Sequence, residues 1–176
     1  MLQRIYNSLP WTIRPLFHWC YDRYKLRYFR KLSQQANGML SPKVYQRIYQ
    51  YGKKAAHNNI LEIGAAHGAA TIALAKGIQD SEYQSSVVTF EKGEGGSRAD
   101  YGSKEDNLRI LRNDLDEYNV SDTITLIPER LDSDRGLPTE VIEGAPYSLL
   151  CIDADGELHR DFDLLYDLLE PGAVVI

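Results

Sequence analysis

The chain has 176 residues, 43% of them hydrophobic and 26% charged, which fits one globular domain and excludes an intrinsically disordered chain. Its formal net charge of -5 excludes a generic nucleic-acid binder. Cys20 and Cys151 are too few for a disulfide framework and fit no zinc knuckle, so a reducing, cytoplasmic setting is expected. No apolar run approaches the roughly 18 residues of a membrane span, and no signal-peptide core is visible.

Charge divides the chain. Residues 1–31 hold seven Lys/Arg against one acid, a net +6, and the remainder nets -11. The chain therefore reads as a basic, aromatic helical arm over residues 1–37 and a body over 38–176. Within the arm Phe17, Tyr21, Tyr24 and Tyr28 recur at helical spacing, which predicts a packing face with the basic groups largely elsewhere. The basic side reads either as a solvated face or as one for anionic lipid, an acidic partner or RNA. The lipid reading makes the protein peripheral to a membrane.

After Asn37-Gly38, Ser41-Pro42 predicts a helix start, with Val44, Ile48, Tyr51 and Ala55 as its apolar face. A strand is expected over 59–63, then an Ala-rich helix over 69–76 closed by Gly77. A second strand follows over 86–90. Ser103 caps a helix reaching about Tyr118, with Asp106 as its capping-box partner. A third strand is expected over 123–127, a short helix from Leu137-Pro138 to Gly144, and a fourth strand over 147–152. Leu158, Phe162, Leu165 and Leu169 predict a helix ending at Pro171-Gly172, and residues 173–176 open a fifth strand. Strands alternating with helices define βαβ units, hence an α/β fold with a parallel sheet covered on both faces. Ala173-Val174-Val175-Ile176 is apolar throughout and suits the inside of a sheet. The natural fold is therefore expected to continue beyond Ile176, and this strand's edge, unpaired, would favour self-association.

The most informative segment is Glu62-Ile63-Gly64-Ala65-Ala66-His67-Gly68. A strand runs into a turn with two glycines four apart and then into a helix. Gly64 permits a sharp turn and close approach of a ligand, and small Ala65 and Ala66 keep the surface open. Ala66 stands where a dinucleotide fingerprint needs its second glycine, and no Lys-Ser/Thr follows for a P-loop. Glu62 suits a cationic ligand better than a diphosphate. Glu91 ends the second strand, where a carboxylate can accept both hydroxyls of a ribose. His67 either contacts a carboxylate of the ligand or faces solvent. The Gly- and charge-rich stretch 91–98 reads as a mobile flap or as plain disorder, with Arg98 available for an anion.

These residues resemble the class I S-adenosylmethionine-dependent methyltransferases, over about residues 38–176. Gly38-Met39-Leu40-Ser41-Pro42, Cys151-Ile152-Asp153-Ala154-Asp155 and Glu170-Pro171-Gly172-Ala173 are similar to segments of the small-molecule O-methyltransferases in that superfamily. The resemblance implies a Rossmann-like doubly wound parallel sheet of which this chain carries strands one to five. It implies S-adenosyl-L-methionine as cofactor, with Glu62, Gly64 and Gly68 around its methionine part and Glu91 on its ribose. The segment Pro128-Glu129-Arg130-Leu131 would lie against the adenine. Relatives often carry Gly-Asp or Gly-Asn where Glu129-Arg130 stands, so an adenine contact would fall to backbone or to Asp132.

Asp153, at the end of the fourth strand, is the candidate for cofactor and acceptor-side chemistry. Asp153 and Asp155 together could hold a divalent metal such as Mg, or Asp155 could lead a turn. His159 is not expected to be the base. The activity implied is methyl transfer to a small-molecule or glycan hydroxyl. A cofactor-binding module completed by a partner is the alternative, and a nicotinamide-dependent oxidoreductase is disfavoured by Ala66 and Glu62.

Overall fold

The computed structural model describes residues 10–94, 102–152 and 158–176, the side chains of residues 17–19, 21, 22 and 25 excepted. The elements are α1 (Arg14–Gln35), α2 (Pro42–Ala55), β1 (Asn59–Ile63), α3 (Ala69–Gln79), β2 (Val87–Phe90), α4 (Lys104–Glu117), β3 (Ile124–Ile127), α5 (Thr139–Glu143), β4 (Tyr147–Ile152), α6 (Leu158–Leu165) and β5 (Leu169–Val175), with 3-10 turns at Ser121–Thr123 and Tyr166–Leu168. The five strands form one parallel sheet in the order β3-β2-β1-β4-β5. The path steps outward from β1 to β3, then returns to the other side of β1. That reversal makes a switch point between the C-terminal ends of β1 and β4, where open α/β sheets bind ligands.

Alternation along the strands sends side chains to two cores. Ile60, Val87, Leu149 and Cys151 face α1 to α4, where Phe29, Leu32, Ile72, Ala73 and Leu111 meet them. Leu61, Ile63, Val88, Phe90 and Leu150 face the other side with Val141 of α5 and Leu165 of α6. Each fully buried Leu or Ile here contributes about 1.5–3 kcal/mol. Tyr147 joins the second core, although it lies three residues before Leu150, because the register shifts between Tyr147 and Leu149. The extra residue, Ser148, donates its hydroxyl to the Ala55 carbonyl.

Several expected details change. The packing face of α1 is Phe29, Leu32 and, at its end, Ala36, with Tyr28 packed partly against the same core; Tyr24 points outward, and the side chains of Phe17 and Tyr21 lie outside those described. In α2 the buried set is Tyr45, Ile48, Tyr49, Gly52 and Ala55, and Val44 is exposed. Ser41 takes the N-cap position, but its side chain makes no capping bond; its carbonyl receives the Val44 N–H instead. Gly77 does not close α3, which runs to Gln79. It is the contact point of two helices: a Cβ there would lie 2.4 Å from the Tyr49 carbonyl oxygen, and one on Gly52 would lie 2.6 Å from that of Leu74. The glycines are there for backbone approach. Ser103 does cap α4, accepting from the Asp106 N–H at 3.2 Å. The last helix stops at Leu165. Leu169 begins β5, and Pro171-Gly172 lies within that strand, where the pairing is irregular. Glu170 is held there by His57 Nε2 and Asn58 Nδ2, both at 2.6 Å. Among the described residues no strand pairs with the outer edge of β5, and Val174 and Val175 are exposed.

Candidate functional site

Parallel register brings the two acidic motifs together. Ile63 pairs with Phe90, so the turn that begins at Gly64 stands beside Glu91. The Gly64 and Ala65 N–H groups donate to the Phe90 carbonyl at 3.0 and 3.2 Å, and Gly68 N–H donates to the Ala65 carbonyl at 2.8 Å. Gly64 and Gly68 have φ of 95° and 91°, a region that favours glycine. Ala66 has φ of 51°, a left-handed conformation costing about 1 kcal/mol. Its N–H reaches Glu91 Oε2 at 2.5 Å, which offsets that strain.

Glu91 is only 6% exposed. Its other oxygen accepts from the Gly93 N–H at 2.7 Å. The carboxylate is thus fixed by two backbone donors at the mouth of the sheet. Glu62 lies deeper, within β1 two residues before Gly64, and is 0% exposed. Its Oε2 receives the hydroxyls of Thr71, at 2.6 Å, and Thr89, at 2.7 Å. Two threonines on otherwise apolar faces of α3 and β2 are there to satisfy this buried carboxylate. His67, expected either on a ligand or in solvent, is buried.

Beyond Glu91 opens a cleft of about 440 Å³. Lys92, Lys104, Arg130 and Arg135 line it together with Glu94, Glu129 and Asp132. Arg130 and Asp132 thus share this cleft with Lys92, the residue after Glu91, while Leu131 turns inward into the second core. Asp132 also accepts the Asp134 N–H at 2.9 Å. Asp153 and Asp155 follow directly on Ile152, the β4 residue paired with Ile63, and lie outside the described residues, as does the stretch 95–101 with Arg98. Among the described residues no group of three or more His, Cys, Asp or Glu could hold a metal ion.

Asn107 was not singled out from the sequence. It is buried on α4, and its Nδ2 donates to the Gly93 carbonyl at 2.7 Å and to the Gly102 carbonyl at 3.3 Å. It thereby staples the two ends of the long connection after β2. The readable signal was a polar residue four positions before Leu111, on the apolar face of its helix.

The loop leaves little for a diphosphate. The N–H groups of Gly64, Ala65, Ala66 and Gly68 are all bonded within the protein, so the amide cradle that a dinucleotide requires is occupied by the chain's own acceptors. A buried carboxylate beside the loop instead offers acceptors to hydroxyl groups.

Comparison with known proteins gives the class. A methyltransferase-domain family matches residues 61–176, and the chain belongs to that family. The fold is similar to an O-methyltransferase from Bacillus cereus solved with S-adenosylhomocysteine, at 25% identity and a TM-score of 0.62, covering 86% of this chain and 64% of that one. It is also similar to the O-methyltransferase TomG from Streptomyces achromogenes, solved with S-adenosylmethionine, at 18% identity and a TM-score of 0.59 over 86% and 63%. A Podospora anserina methyltransferase bound to S-adenosylhomocysteine matches over 95% and 70%, with 18% identity and a TM-score of 0.59. The chain spans somewhat less than two thirds of the length of the first two. No curated protein matches the sequence.

Proposed function

We propose that the protein is an S-adenosylmethionine-dependent methyltransferase acting on a hydroxyl of a small molecule or glycan. The observation that carries this reading is Glu91. It is a buried carboxylate at the end of β2, aimed by two backbone donors and set beside a glycine loop in which the Gly64, Ala65 and Gly68 amides are already bonded. That arrangement suits a ribose next to a cationic ligand and disfavours a diphosphate.

In this reading Glu91 accepts the ribose hydroxyls. The open side of the Gly64–Gly68 loop receives the methionine portion, with Glu62 behind it holding Thr71 and Thr89 in place. Lys92 and Arg130, which line the cleft, would border the adenine. Bound there, S-adenosylmethionine supplies a methyl group on a sulfonium, ready for in-line displacement. The chain's part is alignment, exclusion of water and removal of the acceptor's proton, for which Asp153 is the candidate. Asp153 and Asp155 are also the carboxylates to which a divalent ion such as Mg would bind.

Calorimetry of the 176-residue chain tests the cofactor: S-adenosylhomocysteine should bind and NAD should not. Binding of NAD alone would overturn the reading.

A further inference from the structure

We infer that the outward face of α1, with the turn before it, docks on an anionic lipid surface. Among the described side chains of α1 and its C-cap, the buried ones are Phe29, Leu32 and Ala36. They lie at spacings of three and four toward the end of the helix and tie it to the body. Tyr28 adds an edge contact with Tyr118, the C-cap residue of α4. A helix of 22 residues is about 33 Å long, so a long stretch precedes these anchors.

The opposite face has a definite pattern. Leu16, Cys20 and Tyr24 follow one another at spacings of four, with Ile13 three residues before Leu16. Leu16 is 61% and Tyr24 73% exposed, and Trp11, in the turn before the helix, is 80% exposed. Arg23, Arg27, Arg30 and Lys31 continue the same side of the helix, and all four are exposed. Apolar and aromatic groups thus come first along this face and cations follow, the two overlapping at Arg23 and Tyr24. The sequence places one acid among residues 1–31, against seven Lys/Arg, while the rest of the chain nets -11.

Three kinds of partner attract such cations, and the apolar half separates them. An RNA would use the arginines and stack on the aromatics, but it gains little from Ile13 and Leu16. An acidic protein would need a pocket for Trp11. The headgroup boundary of a membrane accepts indole, phenol and aliphatic groups at one depth and phosphates above them, with no complementary pocket needed. The strongly acidic body is repelled by such a surface, so contact falls to the one segment whose charge is opposite. The described residues contain no helix long and apolar enough to cross a membrane, which fits docking on the surface. This proposal does not depend on the reading of Glu91.

The test is co-sedimentation of the whole chain with vesicles of phosphatidylcholine alone and of phosphatidylcholine mixed with phosphatidylserine. Binding should require the anionic lipid and weaken as salt is raised. The double variant Arg23→Gln, Arg27→Gln should bind about thirtyfold more weakly, and Trp11→Ser with Leu16→Ser should also lose binding. S-adenosylhomocysteine affinity and helical circular dichroism should stay unchanged in both variants, since neither touches the anchors or the site. Equal binding to neutral and anionic vesicles, no binding to either, preference for a polyuridylate RNA, or lipid-independent dimerisation through Trp11 and Leu16 would each overturn the inference.

Discussion

Replacing Glu91 by alanine separates the two jobs assigned to it. In the free protein its oxygens hold the Ala66 N–H at 2.5 Å and the Gly93 N–H at 2.7 Å. Truncation leaves both donors without their acceptor. Water can enter from the neighbouring cleft, so the cost should stay near the lower end for unsatisfied groups, about 1–2 kcal/mol of stability. A chain of this size then melts about 2–8 °C lower. In the complex the variant also loses charge-assisted bonds to the ribose hydroxyls. Their combined net value of about 1.5–3 kcal/mol corresponds to a tenfold to hundredfold weaker affinity for S-adenosylhomocysteine. Glu91→Gln keeps the volume but turns an NH2 group toward one of two backbone donors, so it should bind nearly as poorly. Calorimetry gives the affinity and a thermal melt gives the stability. Wild-type affinity in a folded Glu91→Ala variant would refute the assignment, because the carboxylate would then serve only the Ala66 and Gly93 N–H groups.

Gly64→Val should abolish S-adenosylhomocysteine binding, since its φ of 95° disfavours a side chain and the Cβ would stand in the loop's approach; far-UV circular dichroism should show the helices retained. Gly77→Ala places a methyl 2.4 Å from the Tyr49 carbonyl oxygen. It should cost about 1–3 kcal/mol in a denaturant titration by separating α2 from α3, and an unchanged midpoint would show that the crossing tolerates a wider spacing. Burial pushes the Asp114 carboxyl from 3.8 up to about 6, with Glu117 adding to the rise. A carboxyl whose pKa is higher in the folded state supports the fold below its unfolded value and withdraws that support as pH rises through its folded value. Asp114→Asn should therefore flatten stability between those two values. It should also raise stability near neutral pH by about 1 kcal/mol, a figure reduced for solvent screening. Melting curves across that range check both effects.

The order of strands and helices was legible because each strand is a short apolar run bounded by turn residues, and such local signals survive folding. What failed was the identity of contact faces. Tyr24 and Val44 fit helical spacing as well as their neighbours do, yet which side of a helix meets a core depends on partners distant in sequence. Gly77 reads locally as a stop. Only the approach of α2, more than twenty residues earlier, makes it an interior residue. Leu169 continues the spacing of Leu158, Phe162 and Leu165, but a 3-10 turn at Tyr166–Leu168 hands it to β5. The candidate site's glycine loop and strand-end acid were legible because each carries its own chemistry. Asn107, Thr71 and Thr89 were missed because they serve other groups in the protein, and the need for them appears only when Glu62 and the Gly93 carbonyl are seen to be buried.

The same register that builds the sheet also builds the site. Glu62 pairs with Thr89 across β1 and β2, and Ile63 pairs with Phe90. A one-residue slip would send Glu62 to the opposite face, away from the Thr71 hydroxyl on α3, and would leave a charge in an apolar core. It would also move Glu91 away from the Ala66 N–H. The cost of either loss exceeds that of an ordinary polar contact, because both carboxylates are buried. Glu62 therefore acts as a register lock within the core, while Glu91, two positions beyond Thr89, carries that alignment to the mouth of the sheet. The loop between them inherits its position from the lock.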